Sequence, residues 1–166
     1  MNQARGAIQA ARAAGADQYA SDEYNTAVAS LKQSEDAVQQ RDYRQALNHA
    51  LNSREEAENA ARAAANQKAA VRSQAERDLH DLQPLLDEAH ARLKADTPRS
   101  RRNRAVQSER AAVDAADASV QKARTAMARE DYLGARDAIR GVADQLRATI
   151  HQMDAATQAP AARRRR

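Results

Sequence analysis

The stretch RDYRQAL, residues 41–47, has a counterpart in EDYLGAR, residues 130–136. Both place an aspartate directly before a tyrosine in a chain that is otherwise rich in alanine. An aspartate there can accept a hydrogen bond from the free backbone N–H groups at a helix start, so we expect Asp42 and Asp131 to cap new helices. Each stretch therefore predicts a tight turn between two antiparallel helices, with the tyrosine ring covering the corner.

An alignment at the Asp-Tyr step extends the similarity toward the N-terminus. Residues 24–46 and 113–135 share seven identities in this register, which predicts two related helical hairpins. The identical pairs are Ala27/Ala116, Ala29/Ala118, Ser30/Ser119, Ala37/Ala126, Asp42/Asp131, Tyr43/Tyr132 and Ala46/Ala135. The first turn after the first corner contains Tyr43, Ala46 and Leu47, and the residues expected to face inward after the second are Tyr132, Ala135 and Ile139.

The composition limits the kind of core that the chain can build. It has no Phe, Trp or Cys, only four Tyr, and alanine supplies 43 of its 166 residues. Alanine buries little apolar area, but it favours helix formation and lets helix axes approach closely. The sequence therefore predicts an all-α, elongated fold of antiparallel helical hairpins, a coiled-coil-like bundle with Ala-rich interfaces.

Capping residues and breakers predict the helix boundaries in the first half. A short helix should end at Gly15, and Ser21 should cap a helix over 22–40. A long helix should begin at Tyr43 and continue to Gln83, where Pro84 should kink or restart it. On the second helix, one face should hold Tyr24, Val28, Leu31 and Val38.

The second half predicts two further helices and a tail. The segment ADTPRS, residues 95–100, should separate the halves, with Thr97 as a cap and Pro98 at the first helical position. One helix should then run to about Ala128, and a last one from Tyr132 to about Ala156. We accordingly predict an N-terminal hairpin over 1–83, a related hairpin over 84–158 and a basic flexible tail over 159–166.

Positive charge is concentrated in two arginine clusters. Residues 1–98 carry 12 basic and 15 acidic side chains, net −3, whereas residues 99–166 carry 15 and 8, net +7. No tyrosine lies near either cluster, so base stacking is not favoured, but phosphate or anionic-lipid contact is. The candidate anionic-surface site, for lipid head groups, lipopolysaccharide or nucleic acid, consists of Arg99, Arg101, Arg102, Arg104, Arg163, Arg164, Arg165 and Arg166.

The residues that could carry chemistry do not form a complete catalytic or metal constellation. DEAH, residues 87–90, matches a helicase box, but a chain with four glycines has no Gly-rich phosphate loop. Asp87 and His90 have the spacing of half a di-iron site without a second pair, and Glu76 and His80 could hold only an adventitious metal. We therefore expect no catalytic, cofactor-binding or metal residues, no cofactor and no small-molecule substrate. Carboxylates should instead pair along helices, as Glu58 with Arg62.

The first half resembles a bacterial Ala-rich helical family catalogued as domain of unknown function 4398. The resemblance covers residues about 4–75 and follows the pattern A…AGAxxYAxxE…A…L…A…DYxxA. The matching residues are Ala11, Gly15, Ala16, Tyr19, Ala20, Glu23, Ala27, Leu31, Ala37, Asp42, Tyr43, Ala46, Ala50, Ala57 and Ala60. The family implies a location in the periplasm or cell envelope, whereas a true start at Met1 would fit the cytoplasm.

Two functions are consistent with these patterns. The first is a non-enzymatic helical scaffold or protein-interaction module of a bacterial cell envelope, with a protein partner or self-association through its helices. The alternative is a cytosolic or nucleoid-associated protein that binds nucleic-acid phosphates through the arginine clusters.

Overall fold

The computed structural model describes residues 1–95 and 104–158, with side chains from 106 to 156 in the second range. All regular secondary structure in these ranges is helical, which confirms the all-α prediction. The predictions for Thr97, Pro98 and the tail 159–166 lie outside the described residues. The helices are α1 (Asn2–Ala13), α2 (Ala16–Tyr19), α3 (Ser21–Gln39), α4 (Tyr43–Ala95), α5 (Arg104–Ala128), α6 (Tyr132–Ile139) and α7 (Val142–Gln158).

The chain divides into two compact units, Met1–Ala70 and Val71–Arg166. The boundary precedes the one that the sequence predicted at Pro84, because α4 continues through this proline and supplies a segment to each unit. Of the two predicted effects of Pro84, a kink or a restart, the restart is therefore wrong, and the kink stays a prediction. Leu82 and Leu86 on either side of it are both buried in the second core, and this burial offsets the backbone hydrogen bond that proline cannot make.

Small residues form the core of the first unit. Two fully buried serines connect its helices: the Ser34 hydroxyl donates to the Ala46 carbonyl at 2.7 Å, and the Ser53 hydroxyl donates to the Ala27 carbonyl at 2.8 Å. A short side chain that reaches the backbone of the facing helix requires close packing of α3 on α4. The buried alanines of this core are Ala11, Ala16, Ala20, Ala27, Ala57, Ala60 and Ala64.

This close packing changes which face of α3 is buried. Of the predicted face, Tyr24 and Leu31 are half-buried and pack against this core, but Val28 and Val38 are exposed. The residues of α3 that are buried instead are Ala27, Ser30, Ser34 and Ala37. Branched side chains would hold α3 away from α4, whereas alanine and serine allow the approach that the serine hydrogen bonds need.

The start of the first unit follows the predicted glycine but not the predicted cap. Gly15 has a positive φ of 84°, as expected at a helix end, and α2 begins immediately after it. Ser21 does not cap α3. It is the first helical residue, while Ala20 holds the cap position without a side-chain hydrogen bond. The residues between Gly15 and Ala20 thus form the single helical turn of α2.

Larger apolar residues fill the second unit, and its last helix is interrupted. The predicted helix from Tyr132 to Ala156 is two helices, because Gly141 adopts a φ of 75° between α6 and α7. The backbone restarts at once, since the Gln145 N–H bonds to the Gly141 carbonyl at 3.1 Å. The core of the second unit includes Leu82, Leu86, Val113, Val120, Ile139, Leu146 and Ile150.

Within residues 1–95 and 104–158, no helical stretch combines the length and the apolarity that crossing a bilayer requires.

Candidate functional site

The two Asp-Tyr corners have the same backbone. At the first, the Asp42 N–H bonds to the Ala37 carbonyl at 2.9 Å, and at the second the Asp131 N–H bonds to the Ala126 carbonyl at 3.0 Å. Each bond joins an N–H to the carbonyl five residues earlier, and this 6→1 pattern marks a helix that ends in a Schellman motif. Each motif turns through one residue with positive φ, Arg41 or Glu130, both at 59°.

Each aspartate also caps the helix that follows. The Gln45 N–H donates to Asp42 Oδ1 at 3.0 Å, and the Gly134 N–H donates to Asp131 Oδ1 at 2.9 Å. The predicted capping role of both aspartates is therefore confirmed. One aspartate thus ends one helix through its backbone and starts the next through its side chain, which makes each corner tight.

The two tyrosines differ sharply in exposure. Tyr132 is 7% exposed, so the prediction that it faces inward is confirmed, but Tyr43 is 67% exposed, so its ring is not buried as the prediction required. The difference arises from a third helix. Arg72 of α4 lies over the Tyr132 ring, 5.9 Å from its centre, and Glu76 holds the Arg72 side chain at 2.8 Å. No described residue covers Tyr43 in this way.

Tyr43 begins a ridge of exposed apolar side chains. Leu47 and Leu51 follow at one and two helical turns and are 59% and 52% exposed, so the three side chains share one face of α4. We call Tyr43, Leu47 and Leu51 the Tyr43 ridge. It lies on a long helix that is fixed at its start by the Asp42 cap and along its length by Ser53.

The corresponding positions of the second hairpin show that this ridge is a specific feature of the first. In the register of the Asp-Tyr alignment, Arg136 stands at the position of Leu47 and Arg140 at that of Leu51. Both arginines pair with Asp137 at the surface. Leu47 thus lies on the helix after the first corner where Arg136 lies on α6, whereas Leu51 is inside α4 and Arg140 follows the end of α6.

Two positive charges border the Tyr43 ridge. The side chains of Arg41 and Arg44 form no hydrogen bond or ion pair with another residue in the described part of the chain. Their counterparts in the second hairpin are Glu130 and Leu133. The apolar ridge thus begins beside a basic corner, whereas the second corner has an acidic residue at the position of Arg41.

The residues with metal or catalytic potential bind separate partners. Asp87 accepts from Gln83 at 3.1 Å, whereas His90 Nε2 lies 2.9 Å from Asp117 Oδ2 on α5. Glu76, the partner proposed for His80, pairs with Arg72 instead. In the described ranges no group of three or more His, Asp or Glu side chains is arranged to hold a metal ion.

The surface ion pairs differ in one case from the sequence prediction. Glu58 pairs with Arg54 at 2.8 Å rather than with Arg62. Arg62 donates to Asn59. Each of these contacts joins residues three or four positions apart, so the principle of helical pairing holds while the chosen partner was wrong.

A charged cluster ties α4 to α7 in the second unit. Arg92 donates to both oxygens of Asp154, at 2.6 and 3.1 Å, and to Glu88 at 2.6 Å. The hydrogen bonds from Arg92 lower the pKa of the Asp154 carboxyl below its usual range. The same contacts raise the pKa of Arg92. We assign this cluster a structural role because it joins two packed helices.

The predicted arginine site lies almost wholly outside the described residues. Arg104 is the first residue of α5, but its side chain is not described. The anionic-surface site therefore stays a prediction. The other residues of that prediction, all outside the described ranges, are Arg99, Arg101, Arg102, Arg163, Arg164, Arg165 and Arg166.

The residues that carry the family resemblance are chiefly packing residues of the first unit. Gly15 supplies the turn after α1, and Asp42 supplies the cap of α4. Tyr43 is the large hydrophobic residue among them that is exposed. The buried ones are Ala11, Ala16, Ala20, Ala27, Ala37, Ala46, Ala50, Ala57 and Ala60.

Comparison of the chain with protein-family models, with curated proteins and with solved structures finds no match.

Proposed function

We propose that this chain is a non-enzymatic helical scaffold whose first unit binds another protein through the Tyr43 ridge. The observation that carries the proposal is the contrast between the two corners. Their backbones agree in φ and in hydrogen bonding, yet Tyr132 is buried and Tyr43 is exposed together with two leucines on the same face. The related hairpin has arginines at the two aligned sequence positions, so apolar side chains are not required there for folding. An exposed apolar face of this kind is a feature of binding surfaces.

The chemistry of the ridge supports this proposal. Tyrosine is enriched among the residues that dominate protein interfaces, because its ring buries a large area and its hydroxyl keeps a polar contact. The cap at Asp42 and the packing of Ser53 on Ala27 hold the helix that presents it. A partner would therefore meet a preorganised surface and would not have to order it on binding.

The resemblance of residues 4–75 to an envelope family supports a role in the periplasm or cell envelope as part of the same proposal. A scaffold in that location would act through its protein contacts. The test of this location is cell fractionation with an antibody against the chain, and recovery in the cytosolic fraction would contradict it.

Photocrosslinking tests the binding proposal at matched positions. A benzoylphenylalanine residue replaces Leu47 in one variant and Arg136 in another, and both variants are irradiated in cells that naturally make the protein. We expect covalent adducts at position 47 that disappear when Leu51→Arg is added, and none at position 136. Equal adduct yields at the two positions, or none at either, would contradict the proposal.

A second candidate function is the binding of nucleic-acid phosphates, and the concentration of arginines after residue 98 favours it. Such binding would depend on counterion release and would therefore weaken steeply with salt. It involves a different part of the chain from the Tyr43 ridge, so the two functions can be tested separately.

A further inference from the structure

The second unit contains a helix that covers its Asp-Tyr corner. The α4 segment from residue 71 to 95 places Arg72 over the Tyr132 ring, and Leu82 and Leu86 of this segment pack in one core with Ala135 and Ile139. An amphipathic helix is therefore what this corner accepts when its tyrosine is buried. The first corner has the same turn and the same helix start, up to the residue that corresponds to Ile139, so we expect it to accept a helix over its tyrosine as well.

In the first unit, α1 does not reach that seat. Gln3 accepts from Arg54 at 3.4 Å, and further along α1 Ala7 and Ala10 line a shallow cleft with Glu58 and Ala61. This helix thus covers α4 from about residue 54 onward. The Tyr43 ridge occupies the three turns of α4 before that point and has no described helix against it.

The residues beside the covering helix differ between the corners in charge. In the second unit, a cleft of about 290 Å³ is lined by Asp78 and Asp81 of the covering helix together with Arg136 and Arg140. At the first corner the positions of these two arginines are Leu47 and Leu51. A helix on the first corner should therefore be apolar where the covering helix carries Asp78 and Asp81.

The charge next to the tyrosine is reversed as well. Arg72 interacts favourably with Glu76 above all, and with Tyr132 and Glu130, and these contacts raise the pKa of its guanidinium. At the first corner, the position of Glu130 is held by Arg41, and Arg44 adds a second positive charge nearby. An arginine at the position of Arg72 would be repelled there, whereas a carboxylate would be attracted.

We infer that the Tyr43 ridge binds an amphipathic helix of a partner protein, with apolar side chains on Leu47 and Leu51 and a carboxylate facing Arg41 and Arg44. This inference rests on the proposed function and adds the chemistry of the partner. The helix needs about three turns to span the ridge, since the ridge residues extend over nine positions at 1.5 Å each. It is an acidic, apolar counterpart of the segment that covers Tyr132.

Two synthetic peptides test the inference. Both have the sequence of residues 71–95 with Asp78→Leu, Asp81→Leu and Pro84→Ala, so that the apolar stripe fits the ridge and the free peptide stays helical. One keeps the arginine at position 72, and the other carries Arg72→Glu. Binding of each fluorescent peptide to the full chain is measured by anisotropy at low and moderate salt.

The acidic peptide is expected to bind at least tenfold more tightly than the basic one, and the Leu47→Arg/Leu51→Arg double variant should lose both. Combining Arg41→Glu with Arg44→Glu should reverse the preference. The Val28→Asp variant is the matched control at an exposed apolar site of α3, and it should bind like the unchanged protein.

The outcomes separate the two claims. Equal binding of both peptides that is lost in the Leu47→Arg/Leu51→Arg variant would overturn the inferred acidic partner and leave the ridge as an interface. Binding that survives in this variant, or no binding at all, would overturn the inference and count against the ridge itself. Sedimentation that shows a dimer dependent on Leu47 and Leu51 would assign the ridge to a second copy of the chain and would also overturn the inference.

Discussion

Arg41 and Glu130 adopt the same left-handed backbone conformation, with φ of 59° in both, at the same step of two corners far apart in the sequence. Neither is a glycine, although a side chain in this conformation is strained by about 1 kcal/mol or more. Both are held there by the backbone bonds of the following aspartate, Asp42 or Asp131. The hairpins are therefore related in backbone geometry, and their functional difference lies in the side chains that this geometry presents.

Replacing either strained residue with glycine should stabilise the protein. We expect Arg41→Gly and Glu130→Gly each to raise the free energy of unfolding by about 1 kcal/mol, because glycine adopts positive φ without steric cost. Urea denaturation followed by circular dichroism measures the change. Lys32→Gly, at an exposed position within α3, is the control and should lower the value by about 1 kcal/mol. Destabilisation by both corner variants would show that the strain is not present in solution.

The two tyrosines should respond differently to truncation. Tyr132→Ala removes a buried ring and should lower the free energy of unfolding by about 3 kcal/mol. Tyr43→Ala removes an exposed ring and should change it by less than about 0.5 kcal/mol. The same denaturation experiment compares them. Similar losses for both variants would mean that the first corner is covered in the free protein, contrary to the exposure of Tyr43.

These corners also show how far the sequence could predict the structure. The Asp42 and Asp131 caps were predictable because a cap forms between residues three positions apart. The exposure of Tyr43 was not predictable, because it depends on tertiary contacts. Helix α1 covers α4 only from about Arg54 onward, and Arg72 covers the ring of Tyr132 but not that of Tyr43. An alignment of the two corners could have signalled the ridge, because leucines stand there against Arg136 and Arg140.

Tertiary contacts account for the other errors. Ser34 and Ser53 have nothing in their local sequence that marks them as buried, because the carbonyls that accept their hydrogen bonds belong to the facing helix. The continuation of α4 through Pro84 likewise depends on the burial of Leu82 and Leu86 against the second hairpin. The break at Gly141 did carry a local signal, since this glycine lies three residues before Asp144, which falls in the first turn of α7.

The link between α4 and α7 should make stability depend on acid pH. Because Arg92 lowers the pKa of Asp154 in the folded state, the carboxylate stabilises the fold above its unfolded pKa of about 4, and this contribution is lost as the pH falls through the folded value. We expect the stability difference between the unchanged protein and Asp154→Asn to shrink between pH 7 and pH 3. Thermal melts at several pH values measure it.

The same comparison in a protein that carries Arg92→Gln controls for other titrating groups. When Arg92→Gln is present, adding Asp154→Asn should give a much smaller difference that depends on pH, because the hydrogen bonds that contribute most to lowering the pKa of Asp154 are gone and only the weaker effect of His151 remains. A stability difference that stays constant from pH 7 to pH 3 in the original background would contradict the role of Arg92.

The arginine clusters should bind anionic surfaces without reading sequence. Replacing Arg99, Arg101, Arg102 and Arg104 with glutamine should weaken binding to anionic liposomes, lipopolysaccharide and duplex DNA alike, and salt should weaken all three, because phosphate contacts release counterions. Binding is compared at two salt concentrations. A matched variant with Arg12, Arg62, Arg77 and Arg147 changed to glutamine loses the same charge and should bind more strongly than the cluster variant. A strong preference for one DNA sequence would instead favour the nucleic-acid function.

Chemical footprinting of the tyrosines tests the central claim most directly. Tetranitromethane nitrates accessible rings, and mass spectrometry reads each tyrosine of the same sample. In the purified protein we predict rapid nitration of Tyr43 and slow nitration of Tyr132, and in cells that naturally make the protein we predict that Tyr43 becomes protected while Tyr132 is unchanged. Protection of Tyr43 in the purified protein, or equal nitration of Tyr43 in both settings, would contradict the assignment of the Tyr43 ridge as a binding surface.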